Sequence, residues 1–177
     1  CGDLHTAVVT DAGDIWAWGR GIEGQLGHGK EVKKEIVPCP ITLPDFANLK
    51  FSLVACGRYH TVVTTEEGRV YSFGGNKGGQ LSIGDSYTKG CLVPKPVEWD
   101  LEGGGGAPLY RIDAIAVGAH HTVVKDANGS VYSVGWSGFN GRLGHTTSKK
   151  IDRFKQVTVY RQDALNEDLC WQRGFLE

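Results

Sequence analysis

Apolar and polar residues alternate over short runs along this chain, and the runs come in pairs. "HTAVVT", "HTVVTT" and "HTVVK", from His5, His60 and His121, are rich in valine and threonine. In "DIWAW", "RVYSF" and "SVYSV" large or apolar residues stand two apart. A period of two with β-branched and aromatic residues marks a strand with one buried face. Between the members of each pair lie "DAGD", "EEGR" and "ANGS", which put Gly13, Gly68 and Gly129 where a tight hairpin needs a positive φ. Asn128-Gly129 is the strongest of the three signals. Each pair therefore predicts a β-hairpin. A third strand is expected before the later pairs, in "LKFSLVA" and "YRIDAIAV". A fourth is expected after a glycine-rich turn, in "PCPITL", "PKPVEW" and "FKQVTVY", where the prolines suit strand starts or edges. No run carries the apolar period of a helix.

The pairs belong to longer copies. "CGDLHTAVVTDAGDIWAWGRGIEGQLGHG" from Cys1 returns 55 residues later as "CGRYHTVVTTEEGRVYSFGGNKGGQLSIG" from Cys56, and 61 residues after that as "VGAHHTVVKDANGSVYSVGWSGFNGRLGH" from Val117. From His5, His60 or His121 it is eight residues to the turn glycine, and six more to Gly19, Gly74 or Gly135. The repeat divides the chain into units 1–55, 56–116 and 117–177. "DLEGGGGAPLY", residues 100–110, lengthens the second unit and reads as a flexible insertion, and an irregular tail, 161–177, closes the third.

Composition narrows the function. With 40% hydrophobic residues the chain can bury a core. Nineteen basic residues against 20 acidic give a net charge of -1, which argues against nucleic acid as a ligand of this segment. No apolar run reaches membrane-spanning length. The five cysteines, Cys1, Cys39, Cys56, Cys91 and Cys170, form no C-x-x-C pair and point to reduced thiols in a cytoplasmic or nuclear setting. Cys1 with His5 and Cys56 with His60 have the look of half a zinc site, but the third copy has Val117 there, which suits a small buried apolar position and not a ligand. No cofactor or metal is expected. Methionine is absent, and the start at Cys1 is expected to mark a segment of a longer chain.

"WGRGIEGQLGHG" contains G-x-G-x-x-G in Gly19, Gly21 and Gly24, a form that can cradle a dinucleotide pyrophosphate. Such a loop must open a helix, and "QLGHGKEVKKEIVPCP" comes next, full of helix breakers. The other copies read "GGNKGG" and "GWSGFNG", so the repeat does not require the middle glycine. The stretch is one instance of a recurring turn.

Taken together, C-G-x-x-H-T, a turn glycine, aromatic-x-aromatic-G and G-Q-L-G-H-G closely resemble the regulator of chromosome condensation repeat. The resemblance is carried by Cys1, Gly2, His5, Thr6, Gly13, Trp18, Gly19, Gly24, Gln25, Leu26 and Gly27. In copy two it is carried by Cys56, Gly57, His60, Thr61, Gly68, Phe73, Gly74, Gly79, Gln80 and Leu81. Copy three departs most, with Val117, Val134 and Arg142 at motif positions and one extra residue before Gly141. The resemblance implies an all-β fold, a partial β-propeller of about three four-stranded blades from a seven-bladed ring. Three blades alone are expected to expose unpaired faces and to be marginally stable.

Gly2, His5, Gly13 and Gly19, with Gly57, His60, Gly68 and Gly74 and with Gly118, His121, Gly129 and Gly135, then read as structural positions of the repeat. Catalysis needs one special site, and a histidine present in every copy is a hydrogen-bonding scaffold group. The sequence carries no catalytic motif. Plant light-sensing relatives place tryptophans directly after the motif glycine, and Asp3, Arg58 and Ala119 stand there instead. Specificity should fall to the variable turns: Arg20 and Glu23, Asn76 and Lys77, Trp136 and Phe139 are the candidate partner-binding residues. The mixed-charge run 29–35 reads as solvated surface. The expected function is a non-catalytic scaffold binding a protein partner through blade loops. The founding activity of the family, guanine-nucleotide exchange on a Ran-like small GTPase, is the second expectation.

Overall fold

The computed structural model describes residues 1–84, 90–101, 106–108, 110–138, 141–145 and 149–157. The paired runs become the antiparallel hairpins β1 (His5–Val9) and β2 (Ile15–Arg20), β5 (His60–Thr65) and β6 (Val70–Gly75), and β10 (His121–Asp126) and β11 (Val131–Gly135). Their registers repeat, with His5 opposite Gly19, His60 opposite Gly74 and His121 opposite Gly135. Each turn is a three-residue loop. The Gly13, Gly68 and Gly129 amides donate to Thr10, Thr65 and Asp126, while the amides of those three residues bond Asp14, Arg69 and Ser130. The glycines take φ of 78°, 82° and 88°, the left-handed position that ends this loop type. Asn128-Gly129 thus forms the same loop as the other copies and no shorter one.

The strands before each later copy are β4 (Phe51–Cys56) and β9 (Ile112–Val117), which pair with β5 and β10. The outer strands are β3 (Lys34–Pro40), β7 (Gly90–Pro96) and β12 (Ile151–Gln156). They start several residues earlier than the proline-rich runs predict. Lys34 and Glu35, from the run expected to be plain surface, open β3 opposite Arg20 and Gly19. As the edge of its sheet, β3 carries charged residues and prolines without disturbing a further neighbour.

"PKPVEW" is not one strand. It ends β7 at Pro96, and the chain then crosses to the next sheet, where β8 (Trp99–Asp100) lies parallel to β12 with Trp99 opposite Phe154 and Asp100 opposite Lys155. The insertion expected from Asp100 onward therefore begins inside a strand. Residues 102–105 and 109 of that insertion lie outside the described residues, as does the tail 161–177. The resulting sheets have the orders β1-β2-β3, β4-β5-β6-β7 and β9-β10-β11-β12-β8.

The core lies between sheets. Val62 and Val70 of the second sheet pack with Ile112, Val124, Tyr132, Val134 and Phe154 of the third. Ala7 and Ala17 of the first meet Leu26 and Cys56, and Ile15 meets Phe51, Val63 and Phe73. Each blade buries one face on the next, as stacked repeats require. Leu4, Val8, Ile22, Ile36 and Val37 of the first sheet and its turn are exposed.

The crossing strand is fastened by a side chain that breaks the repeat. Gly27 and Gly144 have φ of 69° and 72°, and at the matching place Ser82 takes φ 55°. Its hydroxyl donates to Glu98 O at 2.7 Å and accepts from the Phe154 amide at 2.7 Å. Left-handed backbone costs a serine roughly 1–2 kcal/mol, and two buried hydrogen bonds return about 1 kcal/mol each. Ser82→Ala keeps the strain and loses the bridge, so it should lower stability by about 2 kcal/mol, whereas Ser82→Gly loses the bridge and relieves the strain. Thermal melts should rank the serine protein first, glycine second and alanine last. An alanine variant as stable as the serine protein would mean that the bridge contributes nothing.

Candidate functional site

The repeated histidines are stitched between blades. His5 Nε2 lies 2.7 Å from Thr61 Oγ1 of the next blade, and His60 Nε2 lies 3.0 Å from Thr122 Oγ1. Each threonine hydroxyl in turn donates to a glutamine carbonyl of the preceding blade, Gln25 at 2.8 Å and Gln80 at 3.3 Å. With its proton committed there, the hydroxyl accepts from the histidine, so Nε2 carries the hydrogen and Nδ1 is bare. Nδ1 of His5, His60 and His121 is buried without a hydrogen-bond partner among the described residues. The motif glycine leaves room for that ring edge, since a Cβ on Gly57 would stand 2.7 Å from His60 Nδ1, and one on Gly118 would stand 2.6 Å from His121 Nδ1. Burial, with the positive charges of His5, His120 and His121 adding to it, lowers the His60 pKa to about 3. Burial, with the N-terminal charge adding, lowers His5 to about 4. These are neutral structural groups at physiological pH. No group of three His, Cys, Asp or Glu side chains is placed to hold a metal among the described residues.

At the ends of the strands opposite the hairpin turns, two variable positions meet in every blade. The Arg20 amide donates to Leu4 O at 2.8 Å, Gly75 to Tyr59 O at 2.7 Å, and Trp136 to His120 O at 2.9 Å. The residue before each repeated histidine is thereby pinned beside the residue after each bulge glycine. The adjoining turns are held from within, with Gln25 Oε1 accepting from the Glu23 amide at 2.9 Å and Gln80 Oε1 from the Gly78 amide at 2.8 Å. Gly24 seats the first turn so close to β7 that a Cβ there would stand 2.6 Å from Cys91 O.

Arg20, Glu23 and Lys77, separate candidates in the sequence, come together around a cleft of about 120 Å³ with Tyr59, Gly75, Gln80 and His120. The rings continue across the blades, with Tyr59 and His120 at 5.8 Å and His120 and Trp136 at 6.2 Å. The Arg58 guanidinium lies 5.2 Å from the Tyr59 ring centre and that of Arg142 lies 5.1 Å from Trp136, both within cation–π range. Trp136 is 43% exposed. Burial and the charges of Arg58 and Arg142 hold the His120 pKa below its ordinary value. The cations on this rim include Arg20, Arg58, Lys77 and Arg142, with Lys33 and Lys34 beside Arg20. The carboxylates include Asp3, Glu23 and Glu35, with Asp3 paired to Arg58 at 3.6 Å.

One candidate does not belong to this surface. Asn76 is buried, its Oδ1 accepts from the Leu81 amide at 3.0 Å and its carbonyl from Gly79, so it shapes the turn from inside. Phe139 lies outside the described residues. Arg58, Tyr59, His120 and Arg142 were missed by sequence reasoning. For Arg58, Tyr59 and His120 the signal was present in the "RY" and "AH" of C-G-x-x-H, which differ between copies inside a phrase that otherwise repeats.

Residues 12–64 and 67–124 match the family "Regulator of chromosome condensation (RCC1) repeat". The chain is 36% identical over 147 residues to "Protein RCC2 homolog" of Danio rerio, covering 83% of this chain and 27% of that protein. To "Ultraviolet-B receptor UVR8" of Arabidopsis thaliana it is 36% identical over 145 residues, covering 82% of this chain and 30% of that protein. It thus spans between a quarter and a third of these relatives. Among solved structures, human WBSCR16 superimposes with a TM-score of 0.73 at 25% identity, over 90% of this chain and 38% of that one. Prp20p of Saccharomyces cerevisiae superimposes with a TM-score of 0.75 at 19% identity, over 92% and 38%. The stitched histidines, the glycine turns, the blade-like sheets and these matches have one explanation: the chain belongs to the regulator of chromosome condensation repeat family and forms part of a β-propeller.

Proposed function

We propose that this chain is a non-catalytic interaction module that engages a protein partner through the rim built by Arg20, Glu23, Tyr59, Lys77, His120 and Trp136. The observation that carries the reading is that variable residues of three repeat copies converge on one cleft and one ring ladder, while the repeated residues are consumed by the scaffold. One exposed ring, Trp136, and two half-buried rings, Tyr59 and His120, flanked by arginines have the composition of interface anchors. The module acts in the cytoplasm or nucleus. Light sensing is not its role, because Asp3, Arg58 and Ala119 occupy the places where the light-sensing relatives carry tryptophans.

A photo-crosslinking residue placed at Ala119, exposed beside His120, in the whole protein should yield a discrete protein adduct in cells, and the same residue at Glu67, among the hairpin turns, should not. Adducts from position 67 with none from position 119 would overturn the reading. Nucleotide exchange is the second reading, favoured by the likeness to Prp20p, a protein with binding properties to Gsp1p and histones. Addition of the whole protein to GDP-loaded Ran-family GTPases should leave nucleotide release at its intrinsic rate. Acceleration would establish exchange in place of a passive scaffold.

A further inference from the structure

We propose that the cleft between Arg20 and Lys77 takes the side-chain carboxylate of an acidic segment in the protein partner. This rests on the interaction reading above and names the chemistry that the rim selects. A volume of about 120 Å³ is room for about four waters, the size of one Asp or Glu side chain and too small for a nucleoside. Its two exposed cations come from different blades, and neither Arg20 nor Lys77 takes part in an ion pair among the described residues. With Glu23 in the same wall the cleft keeps one cationic charge in excess, and a guest carboxylate would balance it in a partly desolvated setting, where a charge pair counts for more than on open surface. Tyr59, His120 and Trp136 then offer ring faces to the residues on either side of the guest.

The distribution of charge points the same way. A chain of net charge -1 gathers Arg20, Arg58, Lys77 and Arg142 on this rim. The other rim carries Asp11, Asp14, Glu66, Glu67 and Asp113, with Lys50, Arg69 and Lys125 paired to Asp14, Glu67 and Asp113 and with Arg111 beside the Gly68 turn. Glu23 in the wall tells carboxylate from phosphate, because a phosphoryl group would bring nearly twice the negative charge against it. Glu23 and Asp3 also interrupt the run of cations that a nucleic-acid backbone would follow.

The test is to select random twelve-residue displayed peptides against the whole protein. Selected peptides should share an Asp or Glu at one fixed position. A labelled synthetic copy should bind about tenfold more weakly to Arg20→Ala and to Lys77→Ala, and unchanged to Lys95→Ala on β7. Replacing the shared acidic residue by its amide should cost about the same factor. Peptides without acidic enrichment that still depend on Arg20 and Lys77 would overturn the acidic specificity and leave the rim as an interaction surface. Acidic peptides indifferent to both substitutions would overturn it too, as would an absence of rim-dependent binders or a single-stranded oligonucleotide that the peptide fails to displace.

Discussion

Gly74→Ala should cost roughly 3–5 kcal/mol and leave little folded protein, although it adds a single methyl group. Gly74 holds φ at 104° at the bulge where β6 turns outward, and a Cβ there would stand 2.4 Å from the Tyr59 carbonyl oxygen and 2.8 Å from the His60 Cα. Both neighbours are backbone of the paired strand, so neither can swing aside. Relief would require parting β5 from β6 where the His60 stitch and the rim are both anchored. Gly129→Ala separates the two contributions. That glycine also has a positive φ, 88°, but a Cβ on it meets nothing within 4 Å. Its substitution should cost only the backbone strain, about 1–2 kcal/mol. Denaturant titration of the two variants would measure the difference, and equal losses would show that the close approach at Gly74 has no energetic weight.

Acid should unfold the protein through its stitched histidines. His60 and His5 are held neutral by burial, with pKa values lowered from 6.5 to about 3 and about 4. The unfolded chain takes up a proton at each near pH 6.5 and the folded chain does not. Their contribution is therefore complete above pH 6.5 and is lost as the pH falls toward the folded values. At pH 5 each has lost about 2 kcal/mol, so the pair removes roughly 4 kcal/mol, much of the stability of an ordinary domain. His60→Gln retains an N–H for Thr122 and cannot take the proton. It should lower stability at pH 8 by about 1–2 kcal/mol and remove about 2 kcal/mol of the loss at pH 5. Unchanged pH dependence in that variant would remove His60 from the account.

The hairpins were legible because three copies agree in spacing and each hairpin is a local event of pattern and turn. The assignment of the histidines to the scaffold was legible for the same reason, since one residue in three equivalent places is not a singular site. The outer strands were less so. β3, β7 and β12 are set by pairing to strands remote in the sequence, and edge strands tolerate the lysines, glutamates and prolines that otherwise mark loops. The crossing of Val97–Asp100 to the third sheet has no local signature, because Trp99 stacks on Phe154 at 4.9 Å and meets Tyr132 edge-on at 5.4 Å, and those contacts exist only after the blades stack. Of the residues named from the turns, Arg20, Glu23 and Lys77 come to line one cleft and Trp136 joins its ring ladder. Asn76 misled because a polar residue in a glycine-rich turn serves the backbone as readily as the solvent. Tyr59 and His120 were hidden inside a motif whose repeated residues drew the eye away from the two that vary.

If the repeat builds the scaffold and leaves binding to the variable rim, hydrogen exchange of the whole protein with and without its crosslinked partner will separate the two. Slowed exchange should fall on residues 20–24, 58–59, 75–78, 119–120 and 136, with the hairpin turns 10–14, 65–69 and 126–130 unchanged. Protection of those turns with none at the rim would contradict that division of roles.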